Sequence, residues 1–265
     1  MLKRMLQQQT SMKYHALWIM LAMSFYFICG SVIAAQVSGA KQDIVNDKVL
    51  IVVSSDKYGY WLPEVLEPYQ ILQQAGFEID IASPKGGEGT ARGSSRLSNK
   101  QKKWFENSTL QNKLLQSMPL AIIDSNQYIA IYFAGGAGPM FDLVNEYDAQ
   151  RVTREIYEAG GIVSADCHGP AALLNVKLSN GQRLIADKEV TGKSNIEEGR
   201  WALSNYPFLL EDKLTEVSKK YSAKGKGKVH VVVDQRVITG QNPASAAPMA
   251  EALLSQLSLL VAIIK

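Results

Sequence analysis

Residues 162–174 read IVSADCHGPAALL, an apolar run that stops at Asp166-Cys167-His168 and is followed by Gly169-Pro170 and a short string of good helix formers. Gly160-Gly161 marks a turn ahead of the run, and Gly169-Pro170 suits a tight bend into a helical first turn. A strand that breaks into a helix at a reactive side chain is a nucleophile elbow, the geometry of G-x-S-x-G sequences, built here around sulfur. A thiolate on such a bend would lie near the free N–H groups of the helix start, where the dipole lowers a cysteine pKa. Taken without these neighbours, a lone cysteine is a small buried hydrophobe.

The flanking segments supply the sheet that an elbow needs. KVLIVVS (48–54) has the continuous β-branched character of a strand buried on both faces. An apolar helix side follows in Trp61, Val65, Leu66, Ile71 and Leu72, ending at Ala75-Gly76, and FEIDIAS (77–83) alternates as a second strand. This is a βαβ unit, which right-handed crossover makes parallel. YIAIYFAGG (128–136), GIVSADC (161–167) and KVHVVVD (228–234) are three more buried-type strands with helical patterns between them. The expectation is an α/β fold: a three-layer sandwich with a mainly parallel central sheet, flavodoxin-like, with its elbow at Cys167. Residues 85–99 and 219–228 are loop-like breaks, the second a solvated basic excursion, and residues 248–264 form a closing helix on the sheet.

The N-terminus stands apart. Lys3, Arg4 and Lys13 precede ALWIMLAMSFYFI (16–28), and small residues follow at SVIAAQ (31–36). Residues 1–35 are therefore expected to be a secretory signal peptide cleaved after Ala34 or Ala35, since the apolar run is short against the ~20 residues that span a bilayer. Residues 36–47 form a linker and residues 48–265 a single domain, exported to the periplasm or secreted. The three basic residues of the leader account for the formal net charge of +3, so the mature chain is electrically balanced. Nothing in it recommends a nucleic acid or, after cleavage, a stable membrane association.

Cys29 leaves with the leader, so Cys167 is the one thiol of the mature chain and no internal disulfide forms. Of three histidines, His15 also leaves, His230 suits a satisfied strand position, and His168 is the one candidate base beside Cys167. So few ligands do not make a multi-ligand zinc site. Gly135-Gly136-Ala137-Gly138 ends a strand, where flexible backbone can turn N–H groups toward an oxyanion; it lacks the spacing of a dinucleotide site. Glu64 opens a helix, where the dipole favours a carboxylate whatever its job.

KVLIVVSS, LPEVLEP, YIAIYFAGGAGPMFDL, VSADCHGPAALLNVK, EVTGKSNIEEG and VITGQNPASA resemble, in order and spacing, the ThiJ/PfpI superfamily of the class I glutamine-amidotransferase-like fold. The likeness runs from about Lys48 to the C-terminus and is strongest to the branch containing cofactor-independent glyoxalase III and related heat-shock chaperones. It implies Cys167, His168, Glu64 and Glu198 as catalytic residues, with Glu197 the alternative to Glu198 by one step of register. It further implies an oxyanion hole from the backbone N–H groups of Gly136 and His168, and no metal, glutathione, nucleotide or other cofactor. The implied substrate is a small 2-oxoaldehyde, methylglyoxal or glyoxal, added to Cys167 as a hemithioacetal and released as D-lactate or glycolate; a homodimer is compatible with the likeness. Three residues depart from the pattern: Ala137 where relatives often carry His, Asp166 where the residue before the cysteine is usually small or apolar, and Lys193 where an aromatic is common. The alternatives within the same family are a holdase chaperone, a redox sensor using Cys167, and a cysteine peptidase or amidase.

Overall fold

The computed structural model describes residues 48–264. The expected leader, and the linker before Lys48, lie outside the described residues. Seven strands form the central sheet: β1 (Lys48–Val52), β2 (Glu78–Ser83), β3 (Met118–Pro119), β4 (Tyr128–Phe133), β5 (Ile162–Asp166), β6 (Val231–Asp234) and β7 (Val237–Gly240). Their order is β6-β7-β5-β4-β1-β2-β3, and every neighbouring pair is parallel except β6 with β7. Without its two outermost strands the order is that of a flavodoxin-like sheet.

Alternation along the strands divides the core into two layers. Leu50, Val52, Ile131, Phe133, Val163 and Ala165 face one side, where Ala149, Val152 and Ile156 of the helix Tyr147–Glu158 cover them. Val49, Ile51, Val53, Ile79 and Ile81 face the other. There they meet Val65, Leu66 and Leu72 of the helix Pro63–Gln74 and Met249, Leu253 and Leu257 of the helix Ala246–Ile264. Burial on both faces is what makes β1, β4 and β5 read as unbroken apolar runs.

Two expectations need correction. KVHVVVD is not a buried strand of the parallel set: β6 is an antiparallel edge strand, partly exposed, with Val233 45% accessible. Its β-branched run encodes extension, and only its place at the margin decides exposure. The strand beside β5 is instead β7, wholly buried but four residues long, too short to show a period. Trp61 likewise precedes its helix. It pairs with Arg92 in a two-residue parallel bridge, Tyr60–Trp61 with Ala91–Arg92, which draws the loop-like segment 85–99 over the carboxyl ends of the strands.

Candidate active site

Cys167 directly follows β5 and has φ of 57°, a left-handed conformation unusual for a side chain with a Cβ. Two contacts hold it there: its N–H donates to the Gly240 carbonyl at 3.0 Å, and its carbonyl accepts from the Lys193 N–H at 2.7 Å. Gly169 must lack a Cβ because one would collide with the Phe133 carbonyl. The elbow leads into a five-residue 3-10 helix, Gly169–Leu173, rather than the expected α-helix. So short an element carries little aligned dipole.

The thiol therefore differs from expectation. Burial pushes the Cys167 pKa well above its ordinary value, the carboxyls of Glu64 and Asp166 push it further, and only Lys193 acts in the other direction. Glu64 occupies the second position of its helix but is fully buried instead of solvated. Burial raises its pKa to about 8, with the Cys167 thiol, Lys193 and the Gly135 backbone offsetting only part of the cost. Neither of its oxygens accepts a hydrogen bond of ordinary geometry. A Cβ on Gly135 would collide with the Glu64 carboxyl and come within 2.6 Å of Cys167 Cβ, so that glycine is what lets the acid and the thiol meet. Asp166 is also fully buried, without a hydrogen-bond partner, against Gly240, and burial followed by Glu64 pushes its pKa well up. At neutral pH Glu64 thus keeps its proton beside an undissociated thiol, and burial disfavours ionisation of Asp166 as well.

Beside that cluster runs a relay. His168 Nδ1 lies 3.6 Å from Cys167 Sγ, and His168 Nε2 lies 2.8 Å from Glu198 Oε1. The imidazole and the Glu198 carboxyl are both nearly withdrawn from solvent, at 7% and 3% exposure. A carboxylate at Nε2 assigns the proton to that nitrogen and turns the Nδ1 lone pair toward sulfur. Of the two adjacent glutamates, Glu198 is the one at His168. Glu197 instead accepts from the Gly227 N–H at 2.7 Å, Asn242 Nδ2 at 2.9 Å and Gln241 Nε2 at 3.1 Å. It ties the basic excursion 219–228 to the residues just after β7. His230 stands one residue ahead of β6, 2.9 Å from Ser222 Oγ, as a satisfied structural side chain.

Cys167, His168 and Glu64 open into a cavity of about 480 Å³ with Gly136 and Ala137 on its wall. Gly136 has φ of 109°, and a Cβ there would lie 2.6 Å from the Trp61 nitrogen. The backbone N–H groups of Gly136 and His168 are not spent on other backbone carbonyls of the described residues. Asp142 fixes the neighbouring turn after β1, accepting from Ser55 N–H at 2.7 Å, Ser54 Oγ at 2.9 Å and Asp56 N–H at 3.0 Å. Residues given no site role in the sequence reading complete the lining: Tyr58, Trp61, Trp201 and Tyr206 form an aromatic wall, and Arg92 joins Lys193, already noted as a departure from the family pattern, as a second cation. Tyr206 meets His168 edge-on at 5.1 Å, and Trp201 links it outward to Tyr58 at 4.9 Å. Aromatic residues in otherwise polar segments were the available signal.

Residues 47–256 match the sequence profile of the DJ-1/PfpI family. Glyoxalase 3 of Candida albicans is 32% identical over 213 residues, 75% of this chain and 89% of that protein. The glutathione-independent glyoxalase HSP31 of Saccharomyces cerevisiae is 30% identical over 205 residues, 72% of this chain and 85% of that protein. Among solved structures, the 24 kDa Rapid Encystment Protein of Francisella tularensis superposes with a TM-score of 0.74 at 38% identity, covering 79% of this chain and 98% of that one.

Proposed function

The chain belongs to the DJ-1/PfpI family, and from that premise we propose that it is a glutathione-independent, glyoxalase III-like enzyme converting methylglyoxal or a related 2-oxoaldehyde to the 2-hydroxy acid through Cys167. The observation that carries this is the Cys167–His168–Glu198 relay opening into one cavity with a buried, protonated Glu64. Relatives named as glyoxalases over most of their length support the same activity.

The residues fit each step. His168 Nδ1 takes the thiol proton as sulfur attacks the aldehyde carbon, and Glu198 holds the resulting imidazolium. Activation thus occurs on attack, since the resting thiol is not a standing thiolate. Protonated Glu64 gives its proton to the carbonyl oxygen, completing the hemithioacetal. As a carboxylate it then removes the proton from the former aldehyde carbon while the His168 imidazolium gives its proton to the neighbouring ketone oxygen, giving an enediol. Return of a proton to the adjacent carbon leaves a thioester of the 2-hydroxy acid, which water cleaves to the acid and free Cys167 thiol. One carbon is oxidised and its neighbour reduced, so the sum is substrate plus water with no external oxidant. The N–H groups of Gly136 and His168, unspent on backbone carbonyls of the described residues, are the donors this reading assigns to the developing oxyanion.

The purified domain should form lactate from methylglyoxal without glutathione, metal or nucleotide, and Cys167→Ser should abolish it. Equal rates in both proteins would remove the proposal. A redox-sensor role is less favoured, because sensor cysteines are exposed and of low pKa, whereas Cys167 is 4% accessible with its pKa raised. Export through residues 1–35 belongs to the same proposal and is tested by N-terminal sequencing of the protein recovered outside the cytoplasm.

A further inference from the structure

The cavity offers a ligand two positive charges and no exposed ionised carboxylate. Lys193 is held at the elbow by its own backbone bond to Cys167, and it lines the cavity with a side chain only 17% exposed. Its one ion pair among the described residues, to Glu197, is long at 3.8 Å, and Glu197 is already occupied by Gly227, Gln241 and Asn242. Glu198 is likewise engaged by His168. Arg92 stands on the same cavity, its guanidinium donating to the Lys57 carbonyl at 3.1 Å and making no ion pair among the described residues. The remaining acid on the wall, Glu64, keeps its proton at neutral pH. Burial works against the Lys193 ammonium and nearby acids, Glu197 and Glu198 among them, more than offset it, so its pKa is raised and it stays charged. With no hydrogen bond to it among the described residues and its ion pair long, it keeps donors for a further anion.

Size points the same way. A space of about 480 Å³ lies within the ~300–1,000 Å³ that takes ligands much larger than a three-carbon aldehyde.

Resting on the glyoxalase reading above, we propose that the preferred substrate is a 2-oxoaldehyde whose far end carries a carboxylate, bound by Lys193 with Arg92 across the mouth. The aldehyde end meets Cys167, and the aromatic wall covers the carbons between. A monoanion fits better than a phosphate because Glu197 already takes up part of the Lys193 charge. The chemistry is unchanged: such an aldehyde plus water gives a 2-hydroxy dicarboxylate. The reaction that supplies the substrate must therefore oxidise or deaminate an amino or hydroxy acid at the end remote from its carboxylate.

The test uses γ,δ-dioxovalerate and its methyl ester, which differ only in that charge. Binding of each to the Cys167→Ser protein is measured by calorimetry, and turnover of each by the intact enzyme is measured beside methylglyoxal. The carboxylate is expected to bind at least about 10-fold more tightly than the ester, the gain from hydrogen bonds to a charged group. That ratio should fall to near 1 in the Lys193→Gln form and recover in Lys193→Arg. Equal binding of acid and ester would overturn the proposal, as would a Lys193→Gln change that slows both equally and leaves the binding ratio intact. Failure to turn over methylglyoxal would instead remove the glyoxalase reading, and the binding ratio would still decide the anion site.

Discussion

His168 Nε2 and Glu198 Oε1 lie 2.8 Å apart, both on side chains almost wholly removed from water. Replacing the carboxylate by an amide removes the charge that would hold the imidazolium and puts an NH2 donor beside the acceptor oxygen, so the tautomer is no longer fixed. Glu198→Gln should lower kcat by about 10²–10⁴-fold with little change in KM, the range for a disabled general base. Glu197→Gln should leave the relay intact and lower the Tm instead, because four donors, Gly227 N–H, Gln241, Asn242 and the Ser194 hydroxyl, lose a charged acceptor. Steady-state kinetics and melting curves of the two variants separate these roles; a large kcat loss confined to Glu197→Gln would reverse the assignment.

In the proposed mechanism Glu64 acts first as an acid, so its proton must be present in the free enzyme. With burial holding its pKa at about 8, kcat/KM for the uncharged substrate methylglyoxal should decline above pH 8, roughly tenfold per unit. A flat profile to pH 9.5 would show that this proton is not used.

The resting thiol should be slow to alkylate. Burial, Glu64 and Asp166 all raise its pKa above the ordinary 9.0, so iodoacetamide reactivity should inflect only on the alkaline side of that value. A fast reaction at pH 7 with an inflection below 8 would mean that a standing thiolate exists and that His168 is not needed to make one.

Asp142 ties down the turn after β1 at some cost. Its pKa is raised from 3.8 to about 6, chiefly by burial, with the Ser54 hydroxyl and the Ser55 and Asp56 N–H groups offsetting part. A raised carboxyl pKa means the folded state keeps a proton that the unfolded chain has lost. Stability therefore falls as pH rises through about 4 to 6, by about 3 kcal/mol for this group. Asp142→Asn should flatten that segment of the urea-midpoint profile relative to the parent. Parallel profiles would show that the carboxyl is not the source.

The parallel sheet was legible because strands buried on both faces are written as continuous β-branched runs, and β1, β4 and β5 are such runs. The edge was not: Val231–Val233 carry the same letters as a core strand, and only the position of β6 at the margin exposes them. At the site, Cys167 and His168 are adjacent in the chain, so their pairing was visible locally. Glu64 and Glu198 came from family likeness alone, since their approach depends on Gly135 lacking a Cβ and on the crossing of separate loops. The protonation of the thiol was misread because it is set by the volume of protein around sulfur, which no local pattern records. Arg92 and Trp61 were missed for a related reason: a two-residue strand pair has no periodicity to detect.

The left-handed backbone at Cys167 places folding and chemistry in competition for one position. A β-carbon in that conformation costs about 1 kcal/mol that glycine would not incur. Under selection for yield alone, with no demand for turnover, residue 167 is where the lineage should drift first toward glycine or asparagine. On the proposed mechanism, use is what keeps sulfur at this position, and its loss in a descendant would mark a retired catalyst sooner than any change in the surrounding sheet.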